Sequence, residues 1–206
     1  MAKRALAIMG SPRRGNTHVL LEETIRALRE DGVEVERVEP ARMKISPCRE
    51  CSSCRETGVC INDDDMQAVY AWLLECDCLI IASPIFFMGL PAQMKALVDR
   101  CQALWSRTAY LRRPLFENGR PPRAGAVILV SGTKGEKLFD GALATVKSVF
   151  KILHVRYDEK NTLLLRGIDE KGDALKHDTA MGDAYGLGKR LAGILAGEKR
   201  RGGEHE

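Results

Sequence analysis

No run in this 206-residue chain approaches twenty uninterrupted apolar positions, so the sequence offers no candidate membrane-spanning helix. A large excess of one charge is also missing. The 32 basic residues nearly balance 28 acidic ones, leaving a net +4, and that argues against a dedicated nucleic-acid binder. Histidine is scarce: His18, His154, His177 and His205 are scattered, so no histidine metal site or catalytic dyad is visible. Internal repeats and low-complexity segments are absent before the charged tail. The first ten residues are basic and then apolar, but the apolar part is too short for a secretory leader and runs into Gly10, Ser11 and Pro12 instead of a cleavage site. The expectation is a first strand in a cytoplasmic protein.

Cysteine, by contrast, is concentrated. Four of the seven fall within residues 48–60 as C-x2-C-x2-C-x5-C, namely Cys48, Cys51, Cys54 and Cys60. Three sulfurs at two-residue gaps can turn inward from one looping backbone, and the fourth arrives just beyond Gly58, which can relax the turn. Such a run suits one four-thiolate iron–sulfur cluster. Structural zinc, which usually takes two pairs separated by a longer span, is a second reading, and free thiols or a redox-active pair a third. Cys76, Cys78 and Cys101 sit in apolar surroundings and read as small core residues.

Short apolar runs alternate with amphipathic segments, the pattern of a parallel sheet covered by helices on both faces. Runs at 5–9, 33–38, 78–82, 126–130 and within 155–165 read as five strands. Helical spacing appears from about 17, from 66 after the acidic capping residues Asp63, Asp64 and Asp65, from 91, through 139–150, and from about 179 to 196. One doubly wound α/β domain covers 1–206, with the cysteine loop at 47–62, an irregular Arg-rich connection at 106–123 and a charged tail at 197–206. The basic residues of that connection (Arg107, Arg112, Arg113, Arg120, Arg123) and of the tail (Lys199, Arg200, Arg201) read as solvated. The alternative for the connection is a contact with an acidic electron carrier or a cofactor phosphate.

In such sheets ligands bind beyond the carboxyl ends of the strands, where strand order reverses. The first loop there, 10–17, is neither G-x-G-x-x-G nor a Walker motif. It offers Ser11, Arg13, Asn16 and Thr17 at a helix N-terminus, a set suited to a terminal phosphate monoester or, more plainly, to a capped polar turn. The second, 83–90, carries Ile85, Phe86, Phe87 and Met88 where polar residues are usual. They form either a wall for a flat apolar ring or a packing contact.

Together these residues resemble a known family. Gly10, Ser11, Pro12 and Arg13 with Gly15, Asn16 and Thr17, the run 83–87, and the run 91–100 are similar to the flavodoxin-like NAD(P)H-dependent FMN reductases. Pro47 with the four-cysteine run, followed by 63–66, resembles their iron–sulfur flavoprotein branch. The resemblance covers about 4–135. It implies a flavodoxin-like doubly wound five-stranded parallel sheet. It also implies FMN, its phosphate near Ser11, Arg13, Asn16 and Thr17 and its ring near Pro84, Ile85, Phe86, Phe87, Met88 and Gly89, with Ser131 and Gly132 on the other side. Phe86 stands where a tyrosine is common, so a hydroxyl contact is not expected there.

The resemblance further implies a 4Fe–4S cluster on Cys48, Cys51, Cys54 and Cys60 and a homodimer or homotetramer. The expected function is FMN-dependent oxidoreduction, moving electrons between a ferredoxin-like donor or NAD(P)H and a small acceptor, with the cofactors carrying the chemistry. The alternatives are a clusterless NAD(P)H-dependent FMN or quinone reductase and a zinc-stapled FMN-binding module.

Overall fold

Alternation along the first strand already separates the two faces of the sheet. In β1 (Arg4–Met9), Leu6 and Ile8 point into one core, while Ala5, Ala7 and Met9 point into the other. The computed structural model describes residues 2–116, 120 and 122–201, with 198–201 given as helix backbone. Among them, β1 is joined in parallel by β2 (Glu34–Val38), β3 (Cys78–Pro84), β4 (Arg123–Ser131), β5 (Val155–Arg156) and β6 (Thr162–Arg166). The order is β2-β1-β3-β4-β5, with β6 also paired to β4.

The expected fifth strand is therefore two short strands in one position. β5 pairs with the start of β4 and β6 with its end. Between them the Asp158 carboxylate accepts the N–H of Lys160 at 2.9 Å and caps a turn of 3-10 helix over Glu159–Asn161. That turn lifts the chain off the ladder, a competition that Asp side chains commonly win in short polar runs.

One face is covered by α3 (Met66–Glu75), α4 (Ala92–Arg100), α5 (Gln102–Ala109) and α6 (Asp140–Ile152). Met66, Leu73, Met94, Leu97, Val146 and Phe150 pack there on Leu79, Ile81, Val127 and Leu129. The other face carries α1 (Asn16–Glu30) and, after the single turn α7 (Asp173–Lys176), α8 (Ala180–Arg201), over a floor that includes Ala5, Ala7, Ala82, Ala124 and Ala126. Small floor residues let these two helices lie close, and their mutual contact is closer still. A Cβ on Gly188 would meet the Thr24 carbonyl oxygen at 2.4 Å.

Three expectations change. α5 runs to Ala109, into the stretch expected to be irregular. α8 continues to Arg201, so the supposed tail is helical that far; 202–206, like 117–119 and 121, lie outside the described residues, as do the side chains of Lys199, Arg200 and Arg201. Nor are all the arginines of 106–123 solvated or free to meet an electron carrier. Arg120 donates to the carbonyls of Leu74, Glu75 and Cys76, and buried Arg123 to those of Leu73, Cys76 and Leu153. The last turn of a helix leaves its carbonyls without intrahelical donors, and two guanidinium groups fill that need at the end of α3. Replacing Arg123 with Met strands three acceptors. We expect a loss of about 3 kcal/mol in urea unfolding and a melting point lower by about 10 °C.

The remaining cysteines are core residues. Cys76, Cys78 and Cys101 are buried, and burial pushes the Cys101 thiol up to about 12.

Candidate functional site

Strand order reverses between β1 and β3, which are neighbours although β2 intervenes in sequence. The loops leaving their carboxyl ends diverge there and open a crevice. The N–H of Gly10 donates to the Ala82 carbonyl at 2.7 Å, and a Cβ at Gly10 would meet Ser83 Oγ at 2.9 Å, so the two loops separate from a tight base. A cleft of about 360 Å³ follows, lined by Ser11, Arg13, Gly15, Asn16, Thr17, Pro84, Ile85, Phe86, Val130, Gly132, Ile168 and Asp169.

Eight of the twelve residues expected near FMN meet in this cleft; Phe87, Met88, Gly89 and Ser131 are off its wall. The hairpin explains the first three. Phe86 and Gly89 exchange N–H···O bonds at 3.0 Å, and the two residues between them take positive φ, 47° at Phe87 and 64° at Met88. A turn of this hand swings both side chains outward, and Phe87 is wholly exposed. The Met88 carbonyl lies against α6, where a Cβ on Gly141 would come within 2.6 Å of it.

At the polar end, α1 begins after Gly15, and its first N–H groups face the cleft region without intrahelical acceptors. The Ser11 hydroxyl donates to the Arg13 carbonyl at 2.8 Å and accepts the Arg13 N–H at 3.3 Å, holding the loop in a turn. Arg13 donates to the Asp169 carbonyl at 3.3 Å. Asn16 lines the cleft, and its side chain also reaches the loop after β6. Its amide donates to the Glu170 carbonyl at 2.8 Å and accepts N–H groups from Gly172 and Ala174 at 3.0 and 3.2 Å. The side chain stitches the loop after β6 to α1. That loop supplies Ile168 and Asp169, a wall that no motif announced. A Cβ on Gly132 would sit 2.6 Å from the Asp169 carboxylate, so the third and fourth loops touch as well.

The four clustered cysteines form a second site. All of them line one cavity of about 320 Å³, with Arg49, Glu50, Arg55, Asp99 and Arg100 among its other walls. The backbone is shaped for it. Glu50 and Ser52 take φ of 53° and 65°, unusual for side-chain-bearing residues, and Ser53 is right-handed. A left-handed residue followed by a right-handed one turns successive N–H groups to one side, a nest that binds anions and recurs around iron–sulfur sites. The Ser53 N–H, helped by its hydroxyl, holds the Cys51 thiol below its ordinary value.

Cys54 opens the single turn α2 (Cys54–Thr57) and donates its S–H to buried Ser106 at 3.4 Å. Gly58 ends the turn at φ 74°, as its placement before Cys60 implied. Among the described residues, no three His, Cys, Asp or Glu side chains gather closely enough to hold a single metal ion. What the four cysteines share is the lining of one cavity.

The acidic run after the loop does more than start a helix. Asp64 accepts the N–H of Met66 at 3.1 Å, so it does cap α3, but it also accepts the Ser46 N–H at 2.9 Å and a forked pair from Arg100 at 2.7 and 3.0 Å. Asp65 accepts the Lys44 N–H at 2.6 Å. Burial alone would raise the Asp64 carboxyl; the Arg100 guanidinium and the N–H groups of Ser46 and Met66 outweigh it and hold it below the ordinary carboxylate value. Because the folded value lies below the unfolded one, the stabilisation is present above about pH 4 and is lost as pH falls through the folded value. Asp64→Asn should therefore cost about 2–3 kcal/mol at pH 7, with the gap to wild type closing below about pH 4. Urea midpoints measured from pH 7 to 3 check this.

A family model described as NADPH-dependent FMN reductase matches residues 4–165. An iron–sulfur flavoprotein of Methanocaldococcus jannaschii is 29% identical over 201 residues, covering 93% of this chain and 97% of that protein. Another, from Methanosarcina thermophila, is 31% identical over 149 residues, 72% of this chain and 71% of its own. Among solved structures, a flavodoxin from the domain Archaea superposes with a TM-score of 0.56 at 14% identity, covering 94% of this chain and 99% of its own.

Proposed function

Because the chain belongs to the NADPH-dependent FMN reductase family and is an FMN-dependent oxidoreductase with a flavodoxin-like fold, we propose that it works as an iron–sulfur flavoprotein. In this reading it passes electrons between a ferredoxin-like donor or NAD(P)H and a small acceptor. The observation that carries the reading is the convergence of Cys48, Cys51, Cys54 and Cys60 on one cavity, in a fold that also opens a cleft at its switch point. A cluster spreads its thiolates over several irons, so four cysteines that share the lining of one cavity support this reading. When bound, FMN supplies one- or two-electron chemistry and a 4Fe–4S cluster single-electron chemistry, a pairing suited to exchange between unlike carriers.

The chain's own residues position and enclose. The α1 N-terminus, Ser11, Thr17 and Arg13 would hold the FMN phosphate, and Pro84, Ile85 and Phe86 would wall its ring, with Gly132 and Asp169 opposite. Exposed Val59, Ile61, Trp105 and Tyr110, on or near the cysteine loop, supply apolar surface for assembly into a homodimer or homotetramer. No described helix is long and apolar enough to cross a membrane. A reducing, cytoplasmic setting agrees with the seven free thiols.

Anaerobic purification followed by an absorbance spectrum and counts of FMN, iron and sulfide tests the reading. We expect flavin bands over broad cluster absorbance, with about four iron and four sulfide per chain. Flavin bands without iron after reconstitution would leave the clusterless reductase and the zinc-stapled FMN-binding module, which a zinc count separates.

A further inference from the structure

We propose that Arg100 is a positioning residue of the cysteine site, tying the two limbs of its loop together and presenting a buried cationic N–H to the sulfur-bound group. The inference rests on the cluster reading above. Arg100 ends α4 and is 1% exposed, the largest side chain buried to that degree among the described residues. One nitrogen donates to the Ser46 carbonyl at 2.8 Å, two residues before Cys48. The guanidinium also forks onto Asp64 and reaches the Asn62 carbonyl at 3.4 Å, two residues after Cys60. One side chain thus fixes both ends of the segment that carries all four ligands.

The remaining donor points to the second role. Nε of Arg100 is buried and has no hydrogen-bond partner, and Arg100 lines the same cavity as the four cysteines. Buried donors almost always have acceptors, and an orphan beside a ligand-sized space marks where one belongs. Thiolate and sulfide sulfurs accept such bonds, and bonds to sulfur together with nearby charge set a cluster's potential. A cation there stabilises the reduced, more negative state. Arg49 and Arg55 share the cavity wall but are exposed, so solvent screens them. Asp64, on the other edge of the same guanidinium, offsets part of its charge. Removing Arg100 and removing Asp64 should therefore move the potential in opposite directions, which a purely structural brace would not do.

The test uses anaerobically reconstituted full-length protein: wild type, Arg100→Gln, Asp64→Asn and Arg49→Gln. Redox titration followed by electron paramagnetic resonance gives the cluster potential, and iron per FMN gives retention. Melting curves and FMN content report on folding. We expect Arg100→Gln to lower the potential and the iron retained, Asp64→Asn to raise the potential, and Arg49→Gln to leave it nearly unchanged. A wild-type potential in Arg100→Gln, or shifts of one sign in both variants, overturns the inference. If Arg100→Gln does not fold, Asp64→Asn decides: an upward shift supports the inference, and no shift or a downward one overturns it. A wild-type protein that holds no iron sinks the cluster reading and this inference with it; a cluster indifferent to both variants sinks the inference alone.

Discussion

Serine in place of Cys51 should empty the cysteine cavity of iron and sulfide while FMN stays bound. Cys51 is the second of the four proposed ligands, and the Ser53 N–H and hydroxyl hold its thiol below the ordinary value. A serine hydroxyl is a far weaker base and ligand for iron than a thiolate, and the other three cysteines cannot close the set. The switch-point cleft proposed for FMN is built from the loops after β1, β3, β4 and β6 and shares no lining residue with the cysteine cavity. The expected result is iron and sulfide below about a tenth of wild type, an unchanged FMN-to-protein ratio, and loss of the broad absorbance beneath the flavin bands. Loss of FMN as well would mean that the two sites depend on each other.

Asn16→Leu should weaken FMN binding about thirtyfold and cost about 3 kcal/mol of stability. The Asn16 amide is buried and makes three hydrogen bonds to the loop after β6. Leucine matches its bulk but leaves the Glu170 carbonyl and the N–H groups of Gly172 and Ala174 without that partner. Ile168 and Asp169 then lose the tether that keeps them on the cleft wall. Asn16→Asp provides the control, because its oxygen can still accept from Gly172 and Ala174. It should recover part of both losses. Quenching of FMN fluorescence on binding, with urea unfolding in parallel, measures the two effects. An Asn16→Leu protein with wild-type affinity would show that the loop holds its place without the amide.

The sequence made the fold legible because local and long-range signals agreed. The runs at 5–9, 78–82 and 126–130 lie within strands buried on both faces, and the helices between them carry apolar residues at regular spacing. The interrupted fifth strand was written in a polar run, 158–161, inside an apolar stretch, but only the capping geometry of Asp158 shows which residues leave the ladder. At the cleft, the loops after β1 and β3 carried recognisable patterns. Ile168 and Asp169 did not, because their contribution depends on a loop held by one amide 154 residues away in sequence. For the same reason the ties of the Asn16 amide to Glu170, Gly172 and Ala174 were not legible: composition gives a donor and an acceptor without saying what they reach. Asp64 was read as a helix cap and is one, yet its pairing with Arg100 spans 36 residues and belongs to tertiary structure alone.

Arg120 and Arg123 brace the end of α3 at the start of β4, the opposite rim of the sheet from the loops that surround the cleft. Rigidity is thus anchored far from the chemistry. Loops on the working rim can change length or composition while the scaffold beneath them keeps its shape, so donors and acceptors of different size can be accommodated on one frame.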